Sequence, residues 1–325
     1  MPERTPPNNA LKLTAHYSGA IGGGAPQLNA VLDGHSWSQP EPNMTNVLRS
    51  HPLLLYFVLA FALFWACIGL GFMDRFHFWV PILGAFAPAL AAIVVSGFES
   101  GEHEVKALLR RLGEWRVGFG WYLVVLGLPF AEDLFAAGLA SVTGVFSAAR
   151  IPPILPVLPA MWVVFLFAAG EEVGWRGFAL PRLLVSRTAV TASLMLGAVH
   201  TAWHWPVILL PHQYLSDVPL FPWSVFVLSE AIVFTWIFQN TRGSVLMATL
   251  YHGSSNIGMI LYGGIDPAWA PWFKCSTSTL VALGLLMWAG PNLRRERRET
   301  APAGGAVQQL VSGLLRSSES LVSSP

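Results

Sequence analysis

The most constraining feature of the chain is a series of long apolar runs, separated by short polar stretches, that begins at Leu53. Each run is roughly 17–25 residues long, the length that a tilted helix needs to cross about 30 Å of hydrocarbon. The runs cover residues 53–73, 78–98, 119–143, 157–180, 189–210, 221–239, 244–263 and 275–292. Since backbone groups in lipid must bond within their own segment, the pattern predicts an all-α integral membrane protein with about eight transmembrane helices.

The composition agrees with this fold class. Only 11% of the 325 residues are charged and 54% are hydrophobic, whereas a soluble domain carries about 25% charged residues. The net charge of +1 lacks the basic excess of a nucleic-acid-binding protein, so no nucleic-acid partner is expected. The two cysteines, Cys67 and Cys275, provide neither a disulfide framework nor a cysteine-type zinc site.

Three regions follow from the pattern. Residues 1–50 are rich in Pro, Asn, Gly and Ser and are predicted to be a disordered arm. Residues 51–293 form the polytopic membrane domain, and residues 294–325 form a tail.

Basic residues gather in alternate loops and in this tail: Lys106, Arg110, Arg111, Arg116, Arg182, Arg187, Arg242, Arg294, Arg295, Arg297 and Arg298. The positive-inside rule therefore predicts a multi-pass protein of the cell membrane with both termini in the cytoplasm.

Ionisable side chains inside three of the predicted spans are candidate functional groups, because burying them in lipid costs at least a few kcal/mol. These side chains and one amide are Glu171, Glu172, Arg176, His200, His204, His252 and Asn256. Glu172 and Arg176 are four residues apart, so they are expected to pair on one helix face. Glu171 then projects about 100° away, toward an interior polar cavity. The same four-residue spacing makes His252 and Asn256 project together.

This set of groups favours hydrolysis by an activated water molecule. A carboxylate can act as the base, an imidazole can orient the water or hold a metal, and amide or imidazole donors can support an oxyanion. Beside these residues the sequence has no serine or cysteine nucleophile motif. An ion-coupled transporter that uses Glu171, Glu132 and Glu230 as carriers is the alternative from another class.

Each polar group also has a structural interpretation. Glu171 and Glu172 can form an architectural ion-pair network with Arg176 and Arg182. His204 can cap a helix by bonding to a carbonyl group.

Other polar residues have similar alternatives. His252 and Asn256 can join packed helices. Glu230 can pair with an arginine of the cavity or face water. Glu132 and Asp133 can mark either a break in the third span or the edge of the cavity.

Three motifs in this order resemble the CPBP family of intramembrane proteases (CAAX protease and bacteriocin-processing, also called Abi). They are Glu-Glu-x-x-x-Arg in EEVGWRGFALPRL, a histidine followed by x-Pro in WHWP, and His-x-x-x-Asn in NTRGSVLMATLYHGSSN. The resemblance covers roughly residues 155–262. It implies an intramembrane endopeptidase, with a non-catalytic immunity or adaptor protein of the same fold as the alternative.

The resemblance also implies a role for each site residue. Glu171 would activate water with help from His204, and His252 and Asn256 would support the oxyanion. Glu172 and Arg176 would be structural partners that fix the helix of the fourth span.

The resemblance further implies a possible divalent metal such as zinc, held by Glu171, His204 and His252. His200 stands where the family usually has an aromatic residue, and it shares a helix face with His204 as a further candidate ligand. The implied partners are the lipid bilayer and peptide or membrane-protein substrates with a hydrophobic or lipidated segment, including prenylated CAAX-type substrates.

Overall fold

The computed structural model describes residues 50–71, 79–153, 161–211, 213 and 215–294. The predicted arm, apart from Ser50, and the predicted tail, apart from Arg294, lie outside these residues. The helices are α1 (Pro52–Gly71), α2 (Trp79–Ser100), α3 (Glu102–Arg110), α4 (Phe119–Val142), α5 (Met161–Glu172), α6 (Leu180–Leu184), α7 (Ala189–Trp203), α8 (Trp205–Leu209), α9 (Leu220–Asn240), α10 (Val245–Tyr262) and α11 (Ala270–Ala289). The described part contains no β-strand, so the all-α prediction is confirmed there.

Among the residues that the structure describes, four segments are long and apolar enough to cross a membrane: Pro52–Leu70, Leu83–Ser100, Phe119–Val142 and Leu220–Asn240. The other four predicted runs also contain helices, but these are shorter, interrupted or more polar. Eight spans are therefore not confirmed. The physical reason is visible in the sequence, because three of the four remaining runs carry the polar candidate residues of the fourth, fifth and seventh predicted spans.

The third predicted span is not broken at its acidic pair. Helix α4 continues through Glu132 and Asp133, and both side chains are buried. Lys274 on α11 donates from Nζ to Oδ1 of Asp133 at 2.8 Å, and Ser278 donates to Oε2 of Glu132 at 3.1 Å. The pair thus joins α4 to α11, and the expectation of a helix break is wrong.

The segment after the acidic motif is a wide turn of π-helix, Val173–Ala179, that joins α5 to α6. Its contact with α2 depends on glycine. A Cβ atom on Gly174 would lie 2.6 Å from the backbone of Pro88, and one on Gly170 would lie 2.7 Å from the carbonyl oxygen of Ala85. Small residues four apart let two helix backbones approach closely, so α5 is held directly against α2.

The remaining packing surrounds these elements. Helix α1 packs on α2, α4 and α5 pack on α10, and α7 and α11 pack on α9. Leu108 of the short helix α3 is buried and lies within 3.0 Å of where a Cβ atom of Gly177 would be. Helix α3 therefore covers the π-helical segment at the end of the bundle that carries most of the basic loop residues.

Candidate active site

The predicted site residues come together around one cavity. The cavity has a volume of about 370 Å³ and is lined by Glu171 from α5, His200 and His204 from the α7–α8 region, and His252 and Asn256 from α10. Its other lining residues are Arg176, Leu215, Trp223, Phe226, Val227, Glu230, Phe234, Ser255 and Met259. Residues up to 88 positions apart in the chain thus line the same cavity.

Glu171 faces the cavity and bonds to a histidine. Nε2 of His200 lies 3.2 Å from Oε2 of Glu171, and the two side chains are only 10% and 14% exposed. An ionised carboxylate can only accept a hydrogen bond, so His200 donates to it. Motif spacing does not predict this contact, because it joins two different helices and only tertiary packing brings them together.

His204 occupies the joint between α7 and α8. It is the residue after Trp203 and before Trp205, and its Nδ1 lies 3.0 Å from the carbonyl oxygen of His200. Because a carbonyl oxygen accepts, Nδ1 carries the proton and donates it. In the neutral ring, Nε2 is then left with a free lone pair. His204 therefore caps a helix, as the structural interpretation expected, and also lines the cavity.

Glu172 lies behind the cavity wall rather than on it, with no exposed surface. Its Oε1 accepts one hydrogen bond from Nη1 of Arg176 and another from Nδ1 of His252, each 2.9 Å long. The predicted pairing with Arg176 is confirmed. The bond to His252 fixes the ring of a residue that lies 80 positions further along the chain.

Arg182 does not join this network. It pairs with Glu99 at 2.6 Å and also donates to the carbonyl oxygen of Phe178. The structural alternative in which Arg182 and Arg176 both neutralise the acidic pair is therefore wrong. Near the motif, Glu172 pairs with Arg176 and also bonds to His252, whereas Glu171 bonds to His200.

Three potential metal ligands lie close together. One ligand atom from each of Glu171, His200 and His204 lies within 4.8 Å of the other two. This cluster differs from the set suggested by the sequence, since His200 takes the place of His252. His252 is turned toward Glu172 through Nδ1. Two nitrogen donors and one carboxylate oxygen match the ligand types of a catalytic zinc site.

Tryptophans form much of the wall around the two histidines of α7. The ring of Trp175 is centred 5.0 Å from His200, and that of Trp203 is 4.8 Å from His204. The ring of Trp223 is also close to His204, at 5.4 Å. The sequence analysis missed these packing roles, although Trp175 and Trp203 lie within the motif segments. Large rigid rings restrict the rotamers of the imidazoles that they contact.

A second, mostly apolar cavity of about 290 Å³ adjoins the first. The two share Leu215, Trp223, Phe226 and Met259. The second cavity continues between the residues 217–218 and the turn that contains Gly263, Ile265 and Pro267. Both cavities thus extend toward the end of the bundle opposite α3.

Glu230 is an additional acidic group of the cavity. It is buried, it has no ion pair among the described residues, and its Oε1 has no hydrogen-bond partner there. The expected pairing with an arginine is not found among the described residues, and the side chain borders the cavity. The other expectation, that it faces water, stays a prediction.

Comparison with known proteins agrees with this geometry. Residues 153–258 match the family described as Type II CAAX prenyl endopeptidase Rce1-like. Over 112 residues, or 32% of the chain, the sequence is 28% identical to CAAX prenyl protease 2 of Methanococcus maripaludis. This chain spans 41% of the length of that relative. The resemblance to CPBP proteases, inferred from three motifs, is confirmed, and its matched segment carries every predicted site residue.

Proposed function

We propose that the protein is an intramembrane endopeptidase of the cell membrane that hydrolyses peptide bonds in membrane-associated substrates. The observation that carries the proposal is the single cavity shared by Glu171, His204, His252 and Asn256. These residues come from three separate segments of the chain. A purely structural role for each motif would not require all four side chains to face one enclosed space.

Glu171 and His204 are suited to activating a water molecule between them. The carboxylate of Glu171 removes a proton from the water as its oxygen attacks the carbonyl carbon of the peptide bond. Nε2 of His204, left free by the bond of Nδ1 to His200, accepts a hydrogen bond from the same water and orients it. Glu171 then returns its proton to the departing amine as the carbon–nitrogen bond breaks.

His252 and Asn256 are suited to stabilising the negative charge that develops on the carbonyl oxygen. Glu172 holds Nδ1–H of His252, so a doubly protonated ring presents Nε2–H to the cavity. Asn256, one helical turn further along α10, presents its amide. Fixed donors of this kind are most effective where water is excluded.

The adjoining apolar cavity supports substrates with a hydrophobic or lipidated group near the cleaved bond. It shares four lining residues with the site cavity and is lined mostly by aromatic and aliphatic side chains. A prenylated cysteine next to the peptide bond is one such group, and this would agree with the name of the similar archaeal protein, CAAX prenyl protease 2. A peptide or membrane protein with an apolar segment is the other.

The test is to incubate the purified protein in detergent with a peptide library, prenylated and unprenylated, and to identify cleavage products by mass spectrometry. Wild type is compared with Glu171→Gln, which keeps the size of the side chain but removes the base. Glu102→Gln on the exposed face of α3 is the matched control, because it makes the same chemical change far from the cavity.

We expect cleavage by wild type and by Glu102→Gln, and loss of cleavage in Glu171→Gln. Equal cleavage by Glu171→Gln would contradict the assigned base. If wild type cleaves nothing, and Glu171→Gln still supports the cellular phenotype of the protein, a non-catalytic immunity or adaptor role would be favoured instead.

A further inference from the structure

The end of the bundle that α3 covers has a pocket of its own, which is separate from the two adjoining cavities. Its volume is about 440 Å³, and no residue that lines it also lines either of those cavities. Lys106, Arg110 and Arg111 border it from α3 and the turn that follows, and Arg242 borders it from the loop between α9 and α10. Glu114 is the one acid among the described residues that line it. These five residues define the basic pocket.

The walls of the basic pocket are held together by contacts of the chain itself. Ser244 donates a hydrogen bond from Oγ to the carbonyl oxygen of Glu114 at 2.7 Å, and Nη2 of Arg242 lies 2.9 Å from Oε1 of Glu114. Ser244 also caps α10 by accepting a hydrogen bond from the backbone N–H of Met247. The segment after α3 is therefore fixed against the start of α10, so the basic side chains of both segments surround one space.

Arg242 lines the basic pocket from a backbone conformation that arginine rarely adopts. Its φ angle is 59°, in the left-handed region, and that of Gly243 is 74°. A side chain makes this conformation unfavourable, and such strain is found most often at functional sites. Gly243 also leaves room for a neighbouring guanidinium, because a Cβ atom there would lie 2.8 Å from Nη1 of Arg111. The turn thus brings Arg111 and Arg242 to the same pocket.

The charge of Arg111 is poorly compensated within the protein. The side chain is half-buried, and it has no ion pair with any residue that the structure describes. Its guanidinium lies 5.7 Å from the centre of the ring of Phe238. Partial burial, and after it the nearby guanidinium of Arg182, lowers the pKa of Arg111, and Glu104 offsets only part of this effect. Since arginine stays charged in proteins, this position favours a bound anion.

Exposed apolar side chains beside the basic pocket indicate that it lies at the membrane surface. Leu108 of α3 packs into the protein, whereas Leu109 is 42% exposed and Trp115 is 58% exposed. A helix with a basic polar face and exposed leucine and tryptophan side chains is typical of the membrane interface, and tryptophan is enriched at the level of the lipid headgroups. A phospholipid whose headgroup enters the basic pocket can therefore place its acyl chains along Leu109 and Trp115.

We propose that the basic pocket binds the phosphate of an anionic phospholipid headgroup. The guanidinium forks of Arg111 and Arg242 match the geometry of phosphate oxygens. The excess of basic over acidic side chains in the pocket disfavours a headgroup that carries a choline cation. The pocket also lies at the end of the bundle that the positive-inside rule assigns to the cytoplasm, and the cytoplasmic leaflet carries anionic lipids.

The test measures lipid binding to the full chain, purified in a nonionic detergent and freed of lipid. Dioctanoyl phosphatidylglycerol, dioctanoyl phosphatidylcholine and inorganic phosphate are titrated separately at the same concentrations. Native mass spectrometry gives the dissociation constant of each lipid, and thermal unfolding followed by tryptophan fluorescence gives the stabilisation by each additive. The variant is Arg111→Gln. Arg187→Gln is the matched control, because it removes an exposed arginine of another basic loop, outside the pocket, and leaves the same net charge.

We expect phosphatidylglycerol to bind wild type and Arg187→Gln equally well and to raise the unfolding temperature of both. In Arg111→Gln its dissociation constant should rise by about tenfold, which corresponds to the loss of a hydrogen bond to a charged group. Without lipid, Arg111→Gln should unfold at the wild-type temperature or above it, because it removes an unpaired charge; a purely structural role would lower that temperature. Should Arg111→Gln fail to fold, Arg242→Gly is measured in its place and should show the same loss of affinity, since glycine adopts a φ angle of 59° without strain.

Wild type that binds phosphatidylglycerol no better than phosphatidylcholine would overturn the proposal. Equal losses of affinity in Arg111→Gln and Arg187→Gln would also overturn it, because they would indicate a diffuse effect of charge. Stabilisation by inorganic phosphate equal to that by phosphatidylglycerol would show that the pocket takes free phosphate and not a lipid. Each of these outcomes leaves the peptidase assignment standing, because lipid binding is measured without substrate and the basic pocket shares no lining residue with the cavity of the motifs.

Discussion

Glu172 has a structural role at the scale of a single residue. It is fully buried, and its Oε1 joins Arg176 on its own helix to His252 on α10. Arg176 is in turn 3.7 Å from the centre of the ring of Phe234 on α9. One carboxylate therefore ties the position of His252 to the helix that carries Glu171.

The prediction for this residue is that Glu172→Gln destabilises the protein, whereas Glu171→Gln does not. The amide leaves Arg176 buried without a charged partner, and breaking a buried ion pair costs about 3–5 kcal/mol. Thermal unfolding in detergent measures the difference. Because the side chain of Glu171 borders the cavity, Glu171→Gln serves as the control. An unfolding temperature of Glu172→Gln equal to that of wild type would show that the bridge contributes nothing.

The spacing of the motifs predicted some of these contacts and not others. The bond between Glu172 and Arg176 follows from four-residue spacing on a helix, which is a local rule. The bonds from Glu171 to His200 and from Glu172 to His252 join different helices. Only the packing of α5, α7 and α10 decides which histidine meets which acid. The family resemblance therefore put His252 first among the possible metal ligands and His200 only as a further candidate.

At the scale of helices, glycine determines how the acidic motif is positioned. Gly170 and Gly174 lie on the face of the α5 segment that contacts α2, and Glu171 and Glu172 stand between them. The close approach of the α5 segment to α2 therefore determines the position of Glu171 and Glu172 relative to the cavity.

We expect Gly174→Ala to lower the free energy of unfolding by about 1–3 kcal/mol, as overpacking does, and to reduce cleavage. The added methyl group would meet the backbone of Pro88, which cannot move aside as a flexible side chain can. Gly138→Ala on α4 is the matched control, because no atom lies within 4 Å of its added methyl group. Unfolding temperatures measure both, and equal effects of the two substitutions would refute the role of close packing.

A second prediction concerns the buried bond between α4 and α11. Lys274→Met should lower the free energy of unfolding by about 3–5 kcal/mol, because Asp133 loses its only ion-pair partner among the described residues. Adding Asp133→Asn to this variant should restore part of the loss by removing the unpaired charge. A double variant no more stable than Lys274→Met in chemical unfolding would show that the two residues do not interact.

At the scale of the whole molecule, the cavities and the basic loops lie toward different ends. Arg111, Arg182 and Arg242 belong to the end that α3 covers, whereas the two adjoining cavities extend toward residues 215–218 and the turn after α10. If the basic end is cytoplasmic, as the positive-inside rule predicts, the apolar cavity lies toward the external face.

This arrangement predicts the labelling of single cysteines in intact cells, after Cys67 and Cys275 have been replaced. Asp217→Cys should react with a membrane-impermeant maleimide, and Ser186→Cys in the loop between α6 and α7 should react only after the cells are opened. Both positions are exposed, so access to the residue itself does not limit the comparison. The reverse pattern would invert the predicted orientation of the termini.

Hydropathy predicted well where the helices lie in the chain. It did not predict how many of them are long and apolar enough to cross a membrane. Pro52–Leu70 and Phe119–Val142 agree closely with the predicted runs. The segments that hold the site deviate from ideal spans through the π-helical turn after Glu172, the joint at His204 and the polar face of α10. These deviations arise from tertiary packing around a cavity. The length and hydropathy of an apolar run do not predict such packing.

The uneven apolar character of the helices has a consequence for biogenesis. Helices that carry a glutamate, a histidine or an asparagine at mid-length partition poorly from the translocon into lipid by themselves. The strongly apolar α1 and α2 precede α5 in the chain, so they are synthesised first and can shelter the later polar segments during insertion. The cavity lined by the three motifs consequently forms only after its protein surroundings are in the bilayer, and the nascent chain does not contain it before then.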